Sequence, residues 1–176
     1  MNTFHAIIFL HVTGAIALFV TWALEYKQVM IVKQFPNMDA AGNTILKELK
    51  KVSRTSMAAM LITLGTGIWL MAAFWGQELW MMMAFLSLLL IIFIGIFFSR
   101  RASLISEDKT RSFSYLISSI RLRIAIGAGI IALMVFKTTT MLPSLLIVFV
   151  FLTGGILWVL PVWKMQKNLE NFAQIN

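Results

Sequence analysis

Cysteine is missing from this chain of 176 residues, and charged residues make up only 12% of it. The lack of cysteine excludes disulfides, thiolate-bound zinc, iron–sulfur clusters and a cysteine nucleophile. The scarcity of charge is matched by a hydrophobic content of 60% and a mean hydropathy of +0.87. A soluble domain of this size could not keep so much apolar surface from water. The composition therefore predicts an integral membrane protein.

Motifs that identify enzymes and transporters are also missing. The sequence has no glycine-rich phosphate loop, no paired carboxylates within an apolar run and no serine with a plausible base nearby. It lacks the internal repeat and buried charges that are typical of secondary transporters. Whether the protein is an enzyme therefore stays open.

The net charge of +8 first suggests a nucleic-acid partner. The basic residues flank apolar runs, however, and do not cover a polar face. This arrangement is typical of membrane topology. We therefore expect the lipid bilayer to be the main partner and expect no nucleic acid to bind.

Charged residues divide the chain into five long uncharged stretches. A helix that crosses a membrane needs about 20 mostly apolar residues. The fourth stretch reaches this length only if Arg121, Arg123 and Lys137 extend towards the two interfaces. The first stretch lacks a basic leader and a clear cleavage site, so we expect a retained helix and not a signal peptide. The sequence thus predicts an all-α transmembrane bundle, a single unit over 1–176, with spans at about 4–24, 55–76, 79–99, 121–138 and 141–163.

The positions of lysine and arginine predict the orientation of the bundle. Fourteen of the fifteen basic residues lie after span one, after span three or after span five. Only Lys137 lies on the other side. Since basic connections stay in the cytoplasm, we expect the N-terminus outside and the C-terminus inside.

Both basic connections also carry helical signals. Phe35-Pro36-Asn37 interrupts the chain, and apolar residues then recur at helical spacing up to span two. Ser106-Glu107-Asp108 predicts the start of a helix that continues into span four. We expect spans one, two and four to extend into the cytoplasm as helices.

Glycines within the spans indicate where helices approach closely, because packing drives helix association in lipid. They could alternatively leave room for a flat cofactor. The candidate contact positions are Gly14 with its small neighbour Ala15, Gly65, Gly67, Gly95, Gly127, Gly129, Gly154 and Gly155.

The two histidines of the chain, His5 and His11, both lie in the first span. His5 is near the outer interface, where an interfacial role is the simpler interpretation. His11 lies six residues deeper, where an ionisable side chain needs a partner inside the bundle. It is either a metal ligand, with haem iron as the candidate, or a hydrogen-bonding partner of a neighbouring helix. The two side chains point about 120° apart around the helix, so they are not expected to share one ion.

Other polar groups lie at the predicted outer end. Lys137 either extends to the headgroups or pairs with Glu78 or with a carboxylate of a bound ligand, such as a haem propionate. Met81, Met82 and Met83 follow Glu78. Thioethers bind Cu(I) or haem iron, although methionine more often fills gaps in a core.

Three segments together resemble a group of small bacterial membrane proteins, the HemJ/CopD-like group. The segments are FHAIIFLHVTGAIALFVTW, LITLGTGIWLM and RLRIAIGAGIIALMVFK. The group includes HemJ-type protoporphyrinogen oxidases, CopD-type copper-resistance proteins and related families of unknown function. The resemblance covers roughly residues 4 to 140 and implies a location in the bacterial cytoplasmic (inner) membrane. It further implies haem b bound through His11, with Lys137 in the place of a terminal lysine.

Three hypotheses for function follow. The first is a haem b protein serving electron transfer, haem handling or porphyrin oxidation, with His11 as ligand and His5 and Lys137 nearby. The second is a non-catalytic accessory subunit that packs against other membrane subunits or against further copies of itself. The third is a copper or small-solute membrane protein that uses the methionines.

The predicted orientation can be tested with reporter fusions in bacteria. A green fluorescent protein fused after Asn176 should fluoresce, because that reporter folds in the cytoplasm. Alkaline phosphatase fused at the same position should be inactive, whereas phosphatase inserted next to Lys137 should be active. An active C-terminal phosphatase fusion would contradict the predicted orientation.

Overall fold

The computed structural model describes residues 3–34, 40–75, 78–104, 109–137 and 139–175, and in these ranges the chain is helical without any strand. A single π-helical turn, Met71–Trp75, continues the second helix. Each helix contains a segment long and apolar enough to cross a membrane, which confirms the predicted helical protein with five candidate spans. The helices are α1 (Thr3–Gln34), α2 (Ala40–Leu70), α3 (Leu79–Leu104), α4 (Lys109–Phe136) and α5 (Met141–Ile175).

The helices are longer than the predicted spans. The helical continuation of spans one, two and four is confirmed, since α1 reaches Gln34, α2 begins at Ala40 and α4 begins at Lys109. The predicted break at Phe35-Pro36-Asn37 and the predicted helix start at Ser106-Glu107-Asp108 lie outside the described residues. Helix α5 runs on to Ile175, which hydropathy did not predict. The tail is rich in strong helix formers such as lysine, glutamine and leucine, and this composition explains the continuation.

Helices α1 and α4 form the centre of the bundle. Helix α2 packs on α1, whereas α3 and α5 pack on α4, and contacts between α1 and α4 join the two groups. Helices α2 and α3 follow each other in the chain but make little contact. The bundle is therefore open between α2 and α3.

The main core draws buried residues from all five helices. Trp22 is 1% exposed and contacts the edge of Phe19 with ring centroids 5.3 Å apart. Large apolar residues also cover the outside, where Val135 and Leu142 are each 70% exposed. An apolar exterior of this kind suits contact with lipid. The core residues are Leu18, Trp22, Ala59, Met60, Leu88, Ile91, Ile94, Phe98, Leu122, Ile126 and Val159.

Glycine allows close helix approach at several predicted positions. A Cβ at Gly127 would lie 2.8 Å from Phe19 Cζ and 2.8 Å from Trp22 Cζ3. The other close positions are Gly14, Gly67, Gly129 and Gly155. The prediction is wrong for Gly65, Gly95 and Gly154, where a Cβ would have no heavy atom within 4 Å.

Replacing Gly127 by alanine should destabilise the bundle by about 1–3 kcal/mol, because the added methyl group would lie 2.8 Å from ring atoms of Phe19 and of the buried Trp22, which would have to shift. The measurement is thermal or denaturant unfolding in detergent micelles. Gly154→Ala is the matched control and should be neutral or stabilising, since alanine favours helix over glycine and the site is open. Equal effects of the two substitutions would contradict the packing described.

Candidate ligand site

His11 lies half-buried in the seam between α1 and α2. Its Nδ1 is 3.1 Å from the carbonyl oxygen of Thr63 and 3.1 Å from the hydroxyl oxygen of Thr66. A carbonyl oxygen only accepts, so Nδ1 carries the hydrogen and donates it. In the neutral ring the lone pair then resides on Nε2.

The hydroxyl of Thr66 supports this assignment. Thr66 Oγ1 is 2.6 Å from the carbonyl oxygen of Ile62, to which it donates. Its proton is therefore used within α2, and the hydroxyl oxygen faces His11 as an acceptor. No hydrogen bond to His11 Nε2 occurs among the described residues.

Two glycines let α1 and α2 approach closely enough for this contact. A Cβ at Gly14 would lie 2.7 Å from Thr63 Oγ1. A Cβ at Gly67 would lie 3.1 Å from His11 Cε1 and 3.6 Å from His11 Nδ1. The missing side chain of Gly67 thus makes room for the Nδ1 edge of the ring, which forms the hydrogen bonds to α2.

The other predicted site residues lie apart from this seam. His5 is exposed, and its ring contacts Phe4 edge-on with centroids 5.6 Å apart. Lys137 is exposed in the turn after α4, with a φ of 41°, and its backbone N–H donates to the Leu133 carbonyl at 2.9 Å. Within the described ranges, no ion pair joins Lys137 to Glu78 and no hydrogen bond joins it to His11. The structure therefore does not gather His5, His11 and Lys137 into one cluster.

Lys137 and His11 nevertheless lie at the same level along the bundle axis. Tyr26, Glu25 and Phe19 of α1 lie against Arg121, Arg123 and Gly127 of α4 in turn, so these two helices run in opposite directions. Moving 14 residues back along α1 and 14 forward along α4 leads to His11 and Lys137. Both residues lie about 21 Å from the ion pair along their helices.

The methionines do not converge on one point. Met81 is 8% exposed and Met82 is 45% exposed, as expected for successive positions on a helix. Among the described residues there is also no group of three or more histidine, aspartate or glutamate side chains able to hold a metal ion. A metal at His11 would accordingly depend on one protein ligand or on a cofactor that supplies the others.

A buried ion pair that the sequence pattern did not predict joins α1 to α4. Arg123 Nη2 donates to Glu25 Oε2 at 2.8 Å, and only 4% of the glutamate side chain is exposed. The guanidinium also lies 5.9 Å from the Trp22 ring centroid. The other oxygen of Glu25, Oε1, and the Nε of Arg123 are buried without a hydrogen-bond partner among the described residues.

Arg121 also turns towards protein groups. It donates to the Trp158 carbonyl oxygen at 2.8 Å and to the Tyr26 hydroxyl at 3.1 Å. Its guanidinium lies 5.3 Å from the Trp158 ring centroid. The sequence predicted that Arg121 and Arg123 extend to the membrane interface. Glu25, the carboxylate at the end of the first uncharged stretch, could have indicated a partner inside the bundle.

No protein-family model matches this chain, and no curated protein or solved structure is a significant match.

Removing one member of the buried ion pair should be costly. Arg123→Met leaves the Glu25 carboxylate buried and unpaired, and we expect a loss of about 3–5 kcal/mol of unfolding free energy. The double variant Glu25→Met/Arg123→Met should recover most of that loss, because no charge remains to be paired. Unfolding in detergent micelles measures both.

Arg101→Met provides the control, since the Arg101 guanidinium lies 5.7 Å from the ring of the exposed Phe97. It should change the unfolding free energy by less than about 0.5 kcal/mol. If the double variant were as unstable as Arg123→Met, the unpaired Glu25 carboxylate would not be the cause of the lost unfolding free energy.

Proposed function

We propose that this chain is a multi-pass protein of the bacterial cytoplasmic membrane, with its N-terminus outside, that binds haem b through His11. The five apolar helices support the membrane location. The basic residues beside them support the orientation, since fourteen of fifteen lie in connections expected to be cytoplasmic. The resemblance of the first, second and fourth spans to the HemJ/CopD-like group supports the choice of cofactor.

One observation carries the haem proposal: the Nδ1–H of His11 is held by the Thr63 carbonyl at 3.1 Å. Histidine ligands of metals commonly donate their other ring N–H to a carbonyl, which fixes the tautomer and the ring orientation. Nε2, which has no hydrogen-bond partner among the described residues, would be the atom that holds the haem iron. Bound haem would supply one-electron redox chemistry.

The chain itself contributes the orientation of the ligand and the electrostatics around it. The Thr63 carbonyl makes the His11 ring a stronger electron donor. Lys137, at the same height as His11, is the candidate partner for a propionate, and His5 lies six residues towards the N-terminus. Electron transfer, haem handling and porphyrin oxidation are all compatible with these residues.

A second candidate rests on the same hydrogen bonds. The hydrogen bonds of His11 to Thr63 and Thr66 would also suffice if the only role of His11 were to stabilise the packing of α1 on α2. The protein would then be a non-catalytic accessory subunit of a membrane complex or a homo-oligomer. In that case Nε2 needs no ligand, and the amide N–H in His11→Gln should preserve the hydrogen bond between α1 and α2.

A visible spectrum separates these candidates. Protein purified in mild detergent from haem-replete cells should show a Soret band and a reduced-minus-oxidised difference spectrum. Both His11→Ala and His11→Gln should lose the band, because neither side chain offers an imidazole nitrogen to iron. His5→Ala is the matched control and should keep it.

A colourless wild-type protein from haem-replete cells would contradict the haem proposal. A band retained in His11→Gln would show that another residue is the ligand. Co-purification of larger subunits at fixed stoichiometry with a colourless protein would favour the accessory role.

A further inference from the structure

The opening between α2 and α3 is a cavity of about 850 Å³. It lies at the end of the bundle where α1 ends and α2 begins, and α1, α2, α3 and α4 all contribute to its wall. His11 is not part of this wall. The cavity is thus separate from the proposed haem ligand.

The wall is apolar at one end. This part of the wall is formed by Met57 and Met60 of α2 and by Ile91, Ile92 and Ile96 of α3. Gly95 also lines the cavity, and a Cβ there would meet no heavy atom within 4 Å. This part of the wall can accept a hydrocarbon chain.

The other end of the wall is basic. Lys47 and Lys50 line it on α2, and Arg100 lines it on α3. The one carboxylate of the wall, Glu25, is already paired with Arg123 at 2.8 Å. The lysine charges are therefore not neutralised within the wall, and an anionic group would complement them.

Polar side chains also line the wall between the two ends. Ser56 on α2 and Ser119 on α4 belong to the wall, and each carries a hydroxyl that can donate a hydrogen bond. Donors of this type suit ester or phosphate oxygens. The boundary therefore provides hydrogen-bonding groups between the basic end and the apolar end.

We propose that this cavity is a binding site for an anionic phospholipid. Its phosphate lies at Lys47 and Lys50, and an acyl chain lies along Met60 and Gly95. Lys50 and Met60 are ten residues apart on α2, which corresponds to about 15 Å along the helix. That length holds a headgroup and the first part of an acyl chain. The site does not depend on haem binding.

Lipid titration of the purified full chain by native mass spectrometry tests the basic end. Phosphatidylglycerol should bind at least about tenfold more tightly than phosphatidylcholine with the same chains. Lys47→Gln/Lys50→Gln should weaken phosphatidylglycerol binding by about tenfold. The matched control is Lys27→Gln/Lys164→Gln, which removes the same charge from residues outside the wall and should have little effect.

The apolar end is tested by filling it. Gly95→Leu places a side chain in the cavity at a position where a Cβ meets no heavy atom within 4 Å. It should abolish phosphatidylglycerol binding while the melting temperature is kept. Gly154→Leu changes an equally open glycine outside the wall and should leave binding intact.

Three results would overturn the proposal. The first is an equal loss of phosphatidylglycerol binding in the Lys47→Gln/Lys50→Gln and Lys27→Gln/Lys164→Gln variants, which would indicate non-specific attraction between basic residues and anionic lipid. The second is unchanged binding in Gly95→Leu, which would place the lipid elsewhere. The third is displacement of the lipid by millimolar inorganic phosphate, which would make free phosphate the ligand.

Discussion

In an apolar bundle of this kind, polar side chains have to find their partners within the protein, because hydrocarbon offers none. The Glu25–Arg123 pair shows the structural consequence most clearly. It lies in the contact between α1 and α4, and that contact joins the α1–α2 pair to α3, α4 and α5. The side chains of Arg121 and His11 follow the same rule, since each uses a backbone carbonyl of a neighbouring helix.

Two departures from this rule carry the two binding proposals. One is His11 Nε2, which has no hydrogen-bond partner in the described part of the chain although Nδ1 has two. The other is the cavity between α2 and α3, where lysine charge meets an apolar wall. Glu25 lines that cavity and lies about 21 Å from His11 along α1.

The five helices followed from the sequence because hydropathy is a property of each segment by itself. The pairing of Glu25 with Arg123 did not, because the two residues are 98 positions apart and a linear pattern does not specify which helices meet. Glycines illustrate the same limit: Gly127 and Gly95 lie in similar apolar runs, yet only Gly127 is at a close helix contact. His11 was predicted as a candidate from its chemistry and depth, whereas its partner Thr63 emerged only from the packing of α1 on α2.

The central claim is that His11 holds its proton on Nδ1 and leaves Nε2 free for a ligand. Solid-state NMR of ¹⁵N-histidine-labelled, ligand-free protein in lipid tests it directly, with His5→Asn assigning the signals. The Nδ1 shift should be that of a protonated nitrogen and the Nε2 shift that of an unprotonated one. A protonated Nε2 with an unprotonated Nδ1 would contradict this assignment of the His11 tautomer.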